Sequence, residues 1–240
     1  MRAYGKTHVG RIRTINEDAF YVPESNETTV VIADGMGGHL AGEVASAMAI
    51  RNFVEFVGEH TINEQTLHHA VMTVNKAIYR ESQLDPLKHG MGTTLTALCI
   101  VDTTAYLTHV GDSRAYLLRN KALMQLTNDH SLVNELVEKG ELTPTEAKNH
   151  PQRNYITRAL GTNKNVEPDI IRLDYRKGDV WLLCSDGLSN YMQSTDIAKI
   201  LMKKTSWENK LDALINFALE KGGGDNITAL ILTGEDGDVK

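Results

Sequence analysis

Four aspartates sit at the ends of apolar runs that read as β-strands. Asp34 follows Val30-Val31-Ile32-Ala33, Asp112 follows Leu107-Thr108-His109-Val110-Gly111, Asp186 follows Leu182-Leu183-Cys184-Ser185, and Asp225 stands just before Asn226-Ile227-Thr228-Ala229-Leu230. Singly, each has an ordinary explanation, since Asp-Gly marks a hairpin and Asp at a strand end makes an Asx-turn. Together they say more. If the strands pack in sheets, their ends converge at one edge of the core, where gathered carboxylates repel and lose solvation unless a cation neutralises them. Hard oxygen donors select Mg²⁺ or Mn²⁺ over zinc. The softer alternative is missing, because the nine histidines form no His-Glu-x-x-His pattern and the two cysteines are not spaced as ligands. Gly35 and Gly187 directly follow their aspartates, and a residue without Cβ lets a carbonyl turn toward a metal.

Nearer the N-terminus, Arg13 precedes the acidic pair Glu17-Asp18. Arginine suits a bidentate grip on phosphate, and either acid could reach a cation. Alone, this stretch reads as a solvated loop with a local ion pair. Beside a metal centre, an arginine points to phosphoester chemistry.

The elements that must position these groups follow from periodicity. Short strands fill residues 1–35 around a polar turn at 23–28. Helices are expected over 41–57, with Ala47, Ile50, Val54 and Val57 on one face, and over 64–83, with Leu67, Ala70, Val71, Val74, Ala77 and Ile78. A strand meander spans 93–126, broken at Asp102, Gly111 and Arg119-Asn120. The polar stretch 129–165 carries few apolar anchors and reads as a functional flap. Strands return at 170–173, 180–184 and 227–232, with helices over 194–203 and 208–220 and a polar tail at 234–240 expected to fray. Runs of strands separated by helix pairs argue for an α+β fold with largely antiparallel sheets.

Composition bounds the rest. The 240 residues are 41% hydrophobic and show no repeat or linker, so one domain over 1–240 is expected, with a core that needs no disulfide. The net charge of −6 argues against broad nucleic-acid binding, since no positive excess displaces counterions. Cys99 and Cys184 lie in apolar runs and read as buried, reduced thiols. The chain has no signal-peptide pattern or membrane-length apolar segment, which makes a cytoplasmic protein the expectation. A nucleotide-binding loop at Gly35-x-Gly37-Gly38 lacks the Gly-Lys-Ser/Thr ending, and Asp34 would repel phosphates there unless metal intervened. A two-metal nuclease conflicts with the acidic balance, and a decayed enzyme would have lost some of these acids.

The motifs in series resemble the 2C-type metal-dependent Ser/Thr protein phosphatases, in their compact bacterial form. They run Gly10-x-x-Arg13-x-x-Asn16-Glu17-Asp18, Val31-Ile32-Ala33-Asp34-Gly35-Met36-Gly37-Gly38-His39, Gly92-Thr93-Thr94, and Val110-Gly111-Asp112-Ser113-Arg114. Asp129-His130-Ser131, Thr157-Arg158-Ala159-Leu160-Gly161, Cys184-Ser185-Asp186-Gly187-Leu188 and Gly224-Asp225-Asn226-Ile227-Thr228 complete the series. The resemblance implies a four-layer αββα sandwich, two antiparallel sheets with a helix pair outside each. It implies that Asp34 bridges two Mn²⁺ or Mg²⁺ ions, that Asp186 and Asp225 complete one sphere, and that the Gly35 carbonyl and Asp18 serve the other. Asp112, with Asp186, would match a weaker third-metal site, Arg13 would hold the substrate phosphate, and 133–160 would form the variable flap. A hydroxide shared by the ions would attack phosphorus in line. Many eukaryotic relatives carry a histidine where Met36 stands, so His39 is the nearest candidate proton donor, whereas His130 reads as structural. The implied partners are phosphorylated Ser/Thr proteins and a cognate Ser/Thr kinase, met by a monomeric chain.

Overall fold

The computed structural model describes residues 1–24, 28–37 and 41–234. Part of the 23–28 turn, His39 and the tail from 235 lie outside the described residues. In chain order the elements are β1 (Arg2–His8), β2 (Asp18–Tyr21), β3 (Thr29–Met36), α1 (Ala41–Gly58), α2 (Glu64–Leu84), β4 (Gly92–Thr93), β5 (Leu95–Val101), β6 (Thr104–Val110), β7 (Arg114–Arg119) and β8 (Ala122–Gln125). There follow α3 (Leu132–Glu138), α4 (Pro144–Asn149), β9 (Asp169–Asp174), β10 (Val180–Cys184), α5 (Asp186–Ser189), α6 (Ser194–Leu201), α7 (Trp207–Glu220) and β11 (Ile227–Thr233).

The strands form two antiparallel sheets, ordered β1-β11-β10-β7-β8 and β2-β3-β5-β6-β9, with β4 added against β3. Both faces of each central strand are covered, which is why β5 and β11 read as continuous apolar runs rather than alternating ones. Val30, Ile32, Leu98 and Leu107 of one sheet meet Leu117, Trp181, Leu183 and Leu230 of the other in the middle layer. On the outside, Val31, Ala33, Ala97 and Cys99 pack under α1 and α2. Leu182, Cys184, Ala229 and Ile231 pack under α6 and α7. The architecture is the four-layer αββα sandwich expected from the motifs.

Local chemistry sets the helix ends. Asn63 caps α2 by accepting from the Thr66 N–H at 3.0 Å, and the chain leaves the helix at Asp85, ahead of Pro86. A capping box between Thr143 and Glu146, with Pro144 at the first helical position, starts α4. The apolar face of α1 differs from the expected one. Ala45, Ala49, Phe53 and Val57 are buried, Ala47 is exposed, and Ile50 and Val54 are half-buried. Ala45, Ala49, Phe53 and Val57 thus take the sheet side, while Ile50 and Val54 turn to the flanks. The Asp34-Gly35 pair is also not a hairpin turn, since β3 runs through it to Met36 with Gly35 paired to Thr93.

Candidate active site

The β2–β3 ladder sets Asp18 directly opposite Asp34. Like charges facing across a ladder are destabilising, so the pairing itself asks for a cation. The ends of other strands bring in the remaining acids: Asp112 from the β6–β7 connection, Asp186 from the first residue of α5, and Asp225 from just before β11. Asp112, Asp186 and Asp225 line a cleft of about 720 Å³ together with Val133, Val137, Pro144, Lys148 and Arg153 of the polar segment, whereas Arg13, Asp18 and Asp34 are not among its lining residues.

Polar neighbours hold the Asp18 and Asp186 carboxylates and the Asp34 backbone. Asp18 Oδ2 accepts from Ser185 Oγ at 2.9 Å and Thr228 Oγ1 at 2.6 Å, which ties the two sheets together. Asp186 Oδ2 accepts from Asn190 Nδ2 at 3.0 Å. Thr94 Oγ1 accepts the Asp34 N–H at 2.9 Å and bonds Ser113 Oγ at 2.9 Å, while the Thr94 N–H donates to the Asp34 carbonyl at 2.9 Å. Two glycines permit this crowding. A Cβ on Gly35 would lie 2.2 Å from the Gly42 carbonyl oxygen, and one on Gly187 would lie 1.9 Å from that of Asn226. Both are needed for close backbone approach.

The loop carrying Arg13 is stapled by one side chain. Asn226 Nδ2 donates to the carbonyls of Val9 and Ile15, each at 2.9 Å, and its Oδ1 accepts the Glu17 N–H at 2.8 Å. Arg13 Nη2 reaches Asp225 Oδ2 at 3.0 Å, and Nη1 stands 3.7 Å from Glu17 Oε2. This staple and the hydroxyls of Thr94, Ser185 and Thr228 are working residues that the sequence reading did not single out. Each is a polar residue inside a quoted motif, next to or near an aspartate, and that adjacency was the available signal.

Electrostatics favour the same reading. Burial raises the Asp34 carboxyl well above its ordinary range, and the charges of Asp18 and Asp186 add to it. Asp18 is pushed up to about 7, first by burial, against the pull of the Thr228 and Ser185 hydroxyls. Asp186 rises to about 6 through burial and then Asp225. Burial likewise raises Asp112 well above the ordinary carboxylate range, with Asp186 adding to it, and raises Glu17.

The donor set fits a hard divalent cation. Asp18 Oδ1, Asp112 Oδ1 and Glu17 Oε1 are buried with no hydrogen-bond partner. Unsatisfied carboxylate oxygens in a dry setting are the atoms such an ion completes. The oxygens are not already closed around a point, for among the described residues no three His, Cys, Asp or Glu side chains form a ready metal site. Asp225 Oδ2 is turned to Arg13, and Asp18 Oδ2 to its two hydroxyls. The soft donors stay out of reach, with both cysteines free, buried and raised by that burial to about 11 for Cys99 and about 12 for Cys184.

Comparison with known proteins agrees with this geometry. The family model for protein phosphatase 2C matches residues 4–228. A serine/threonine phosphatase, stp, of Listeria monocytogenes is 43% identical over 242 residues, covering 97% of this chain and 95% of that protein. The crystal structure of the Mycobacterium tuberculosis serine/threonine phosphatase PstP/Ppp superposes with a TM-score of 0.89 at 39% identity, over 96% of this chain and 97% of that one. A PstP catalytic domain in complex with two manganese ions gives 0.86 at 38% identity, over 96% of each chain. The chain belongs to the protein phosphatase 2C family.

Proposed function

We propose that this chain hydrolyses phosphoserine and phosphothreonine in proteins, reversing the action of Ser/Thr kinases, with Mn²⁺ or Mg²⁺ as cofactor. The observation that carries the reading is the facing pair Asp18 and Asp34, with Asp112, Asp186 and Asp225 close enough for their charges to act on Asp34. Support for the cation comes from the unpartnered oxygens here and from the manganese complex of the related PstP domain. Asp34 would be shared between two ions, Asp186 and Asp225 would serve one, and Asp18 and the Gly35 carbonyl the other, with Asp112 and Asp186 left for a third. Bound there, a divalent pair supplies a water acidified toward neutral pH and positive charge for the phosphoryl oxygens.

The chain's own groups do the rest. Arg13 presents a planar donor fork beside the cluster, with its side chain about half exposed, so a phosphate monoester can reach the N–H groups that Asp225 leaves free. Thr94 and Asn226 hold Asp34 and the Arg13 loop still while substrate changes partners. His39 is the proposed proton donor to the departing Ser or Thr oxygen, and an unchanged pH–rate profile in His39→Ala would remove it. A thiol nucleophile has no place here, because both cysteines are buried within strands. Among the described residues no helix is long and apolar enough to cross a membrane. The proposed partners are phosphorylated proteins and a cognate kinase, with the chain acting as a cytoplasmic monomer.

Phosphate release from a phosphothreonine peptide tests the reading. Release in Mn²⁺ that disappears in EDTA and in Asp34→Asn is expected. Cleavage of DNA or RNA without phosphate release would replace it with a nuclease.

A further inference from the structure

His130 gathers more contacts than a buried spacer needs. Its N–H donates to the Gly111 carbonyl at 2.7 Å, and its ring Nδ1 accepts the Gly111 N–H at 3.0 Å. Gly111 is therefore held on both its polar groups by one residue, immediately before Asp112. Its backbone is left-handed at φ 112°, and a Cβ there would lie 2.5 Å from Thr94 Cγ2, so the turn accepts only glycine.

The ring's protonation follows from its partners. A neutral imidazole that accepts at Nδ1 carries its proton on Nε2, and Asp169 Oδ2 lies 3.2 Å from that nitrogen. Arg158 Nη1, 3.2 Å from Nε2, finds its acceptor in Asp169 Oδ1 at 3.1 Å. Behind the ring lies His109, 4.8 Å between centroids, itself bonded to Thr96 Oγ1 and the Asn128 carbonyl. The next residue back, Asp129, pairs with Arg114 on the other side of Asp112. The His130 carbonyl also accepts the Thr157 N–H at 2.8 Å, joining both roots of the flap. Asp112 is thus suspended between two clamps, and its Oδ1 is buried without a partner.

We propose that His130 is a positioning residue, whose Nδ1 fixes the Gly111 turn and so aims the Asp112 carboxylate into the cleft. This rests on the reading of Asp112 as a cation ligand. A group that orients a ligand from behind typically changes metal affinity by about 10–100-fold when lost.

Two substitutions separate positioning from packing. His130→Asn keeps an acceptor near the Nδ1 position and loses the Asp169 contact, whereas His130→Gln keeps a polar group near Nε2 and loses the acceptor. Mn²⁺ calorimetry and hydrogen exchange at the Gly111 amide are read on both, with Asp112→Asn as reference. The expected result is that His130→Gln exchanges Gly111 about tenfold faster and weakens the same Mn²⁺ step that Asp112→Asn removes. His130→Asn should stay within about threefold of the parent on both readouts. Equal loss in the two His130 variants would overturn the proposal, as would unchanged Gly111 exchange in His130→Gln. If Asp112→Asn leaves Mn²⁺ binding intact, the ligand reading fails and the proposal falls with it, a failure visible in that variant alone.

Discussion

Arg13 Nη2 donates to Asp225 Oδ2 at 3.0 Å, across 212 residues of sequence. The proposed phosphate grip therefore rests against a proposed metal ligand. On that proposal, cation and phosphate would both loosen this pair, the first by drawing away the carboxylate and the second by drawing away the guanidinium. Arg13→Ala should lower kcat/KM for a phosphothreonine peptide by roughly 10²-fold. Its Mn²⁺ isotherm should be unchanged or tighter, since Asp225 is freed. Steady-state kinetics beside calorimetry check this, and weaker Mn²⁺ binding would count against the assignment.

The raised carboxyls make stability depend on pH in a definite direction. Asp18, at about 7, and Asp186, at about 6, hold protons in the folded, metal-free protein that the unfolded chain releases near 4. Folding then binds protons between these values, so metal-free stability falls as pH rises from about 4 to about 7, and the raised Asp34 and Asp112 act in the same direction. His109, lowered to about 3 by burial, acts oppositely below its ordinary value. Melting in EDTA and in Mn²⁺ across this range should diverge progressively as pH rises. Parallel curves would remove the linkage.

Asn226→Ala breaks three bonds to the Arg13 loop. A loss of about 2–4 kcal/mol in chemical denaturation is expected, because two carbonyls and an N–H lose their partner. The activity loss should exceed what the fraction folded explains, since Arg13 is no longer held.

Gly35→Ala places a methyl 2.2 Å from the Gly42 carbonyl oxygen, backbone that has no room to yield. A cost of about 3 kcal/mol or more is expected, read from the denaturation midpoint. Gly58→Ala, with nothing within 4 Å, is the control and should be neutral or stabilising.

Much of this was legible in the residues. The strand-end aspartates, both long helices and the meander follow from period and turn chemistry, since those are local signals. The face of α1 is legible only in part: Val57 is buried as its period expects, but Ala45, Ala49 and Phe53 share the sheet side with it in place of Ala47, Ile50 and Val54. Asp34-Gly35 looked like a turn because the pair is a turn signal, and only the pairing with β4 shows the strand continuing. The grip of Ser185 and Thr228 on Asp18 was hidden for another reason: it joins residues 167 and 210 positions apart and depends on how one sheet sits on the other.

The most direct measurement is a crystal grown with Mn²⁺ and recorded at the manganese absorption edge. Anomalous peaks within coordination distance of the Asp34 carboxylate, flanked by Asp186 and Asp225 on one side and Asp18 on the other, are the expected result. Peaks absent from that position, in crystals of protein that still releases phosphate in Mn²⁺, would contradict it.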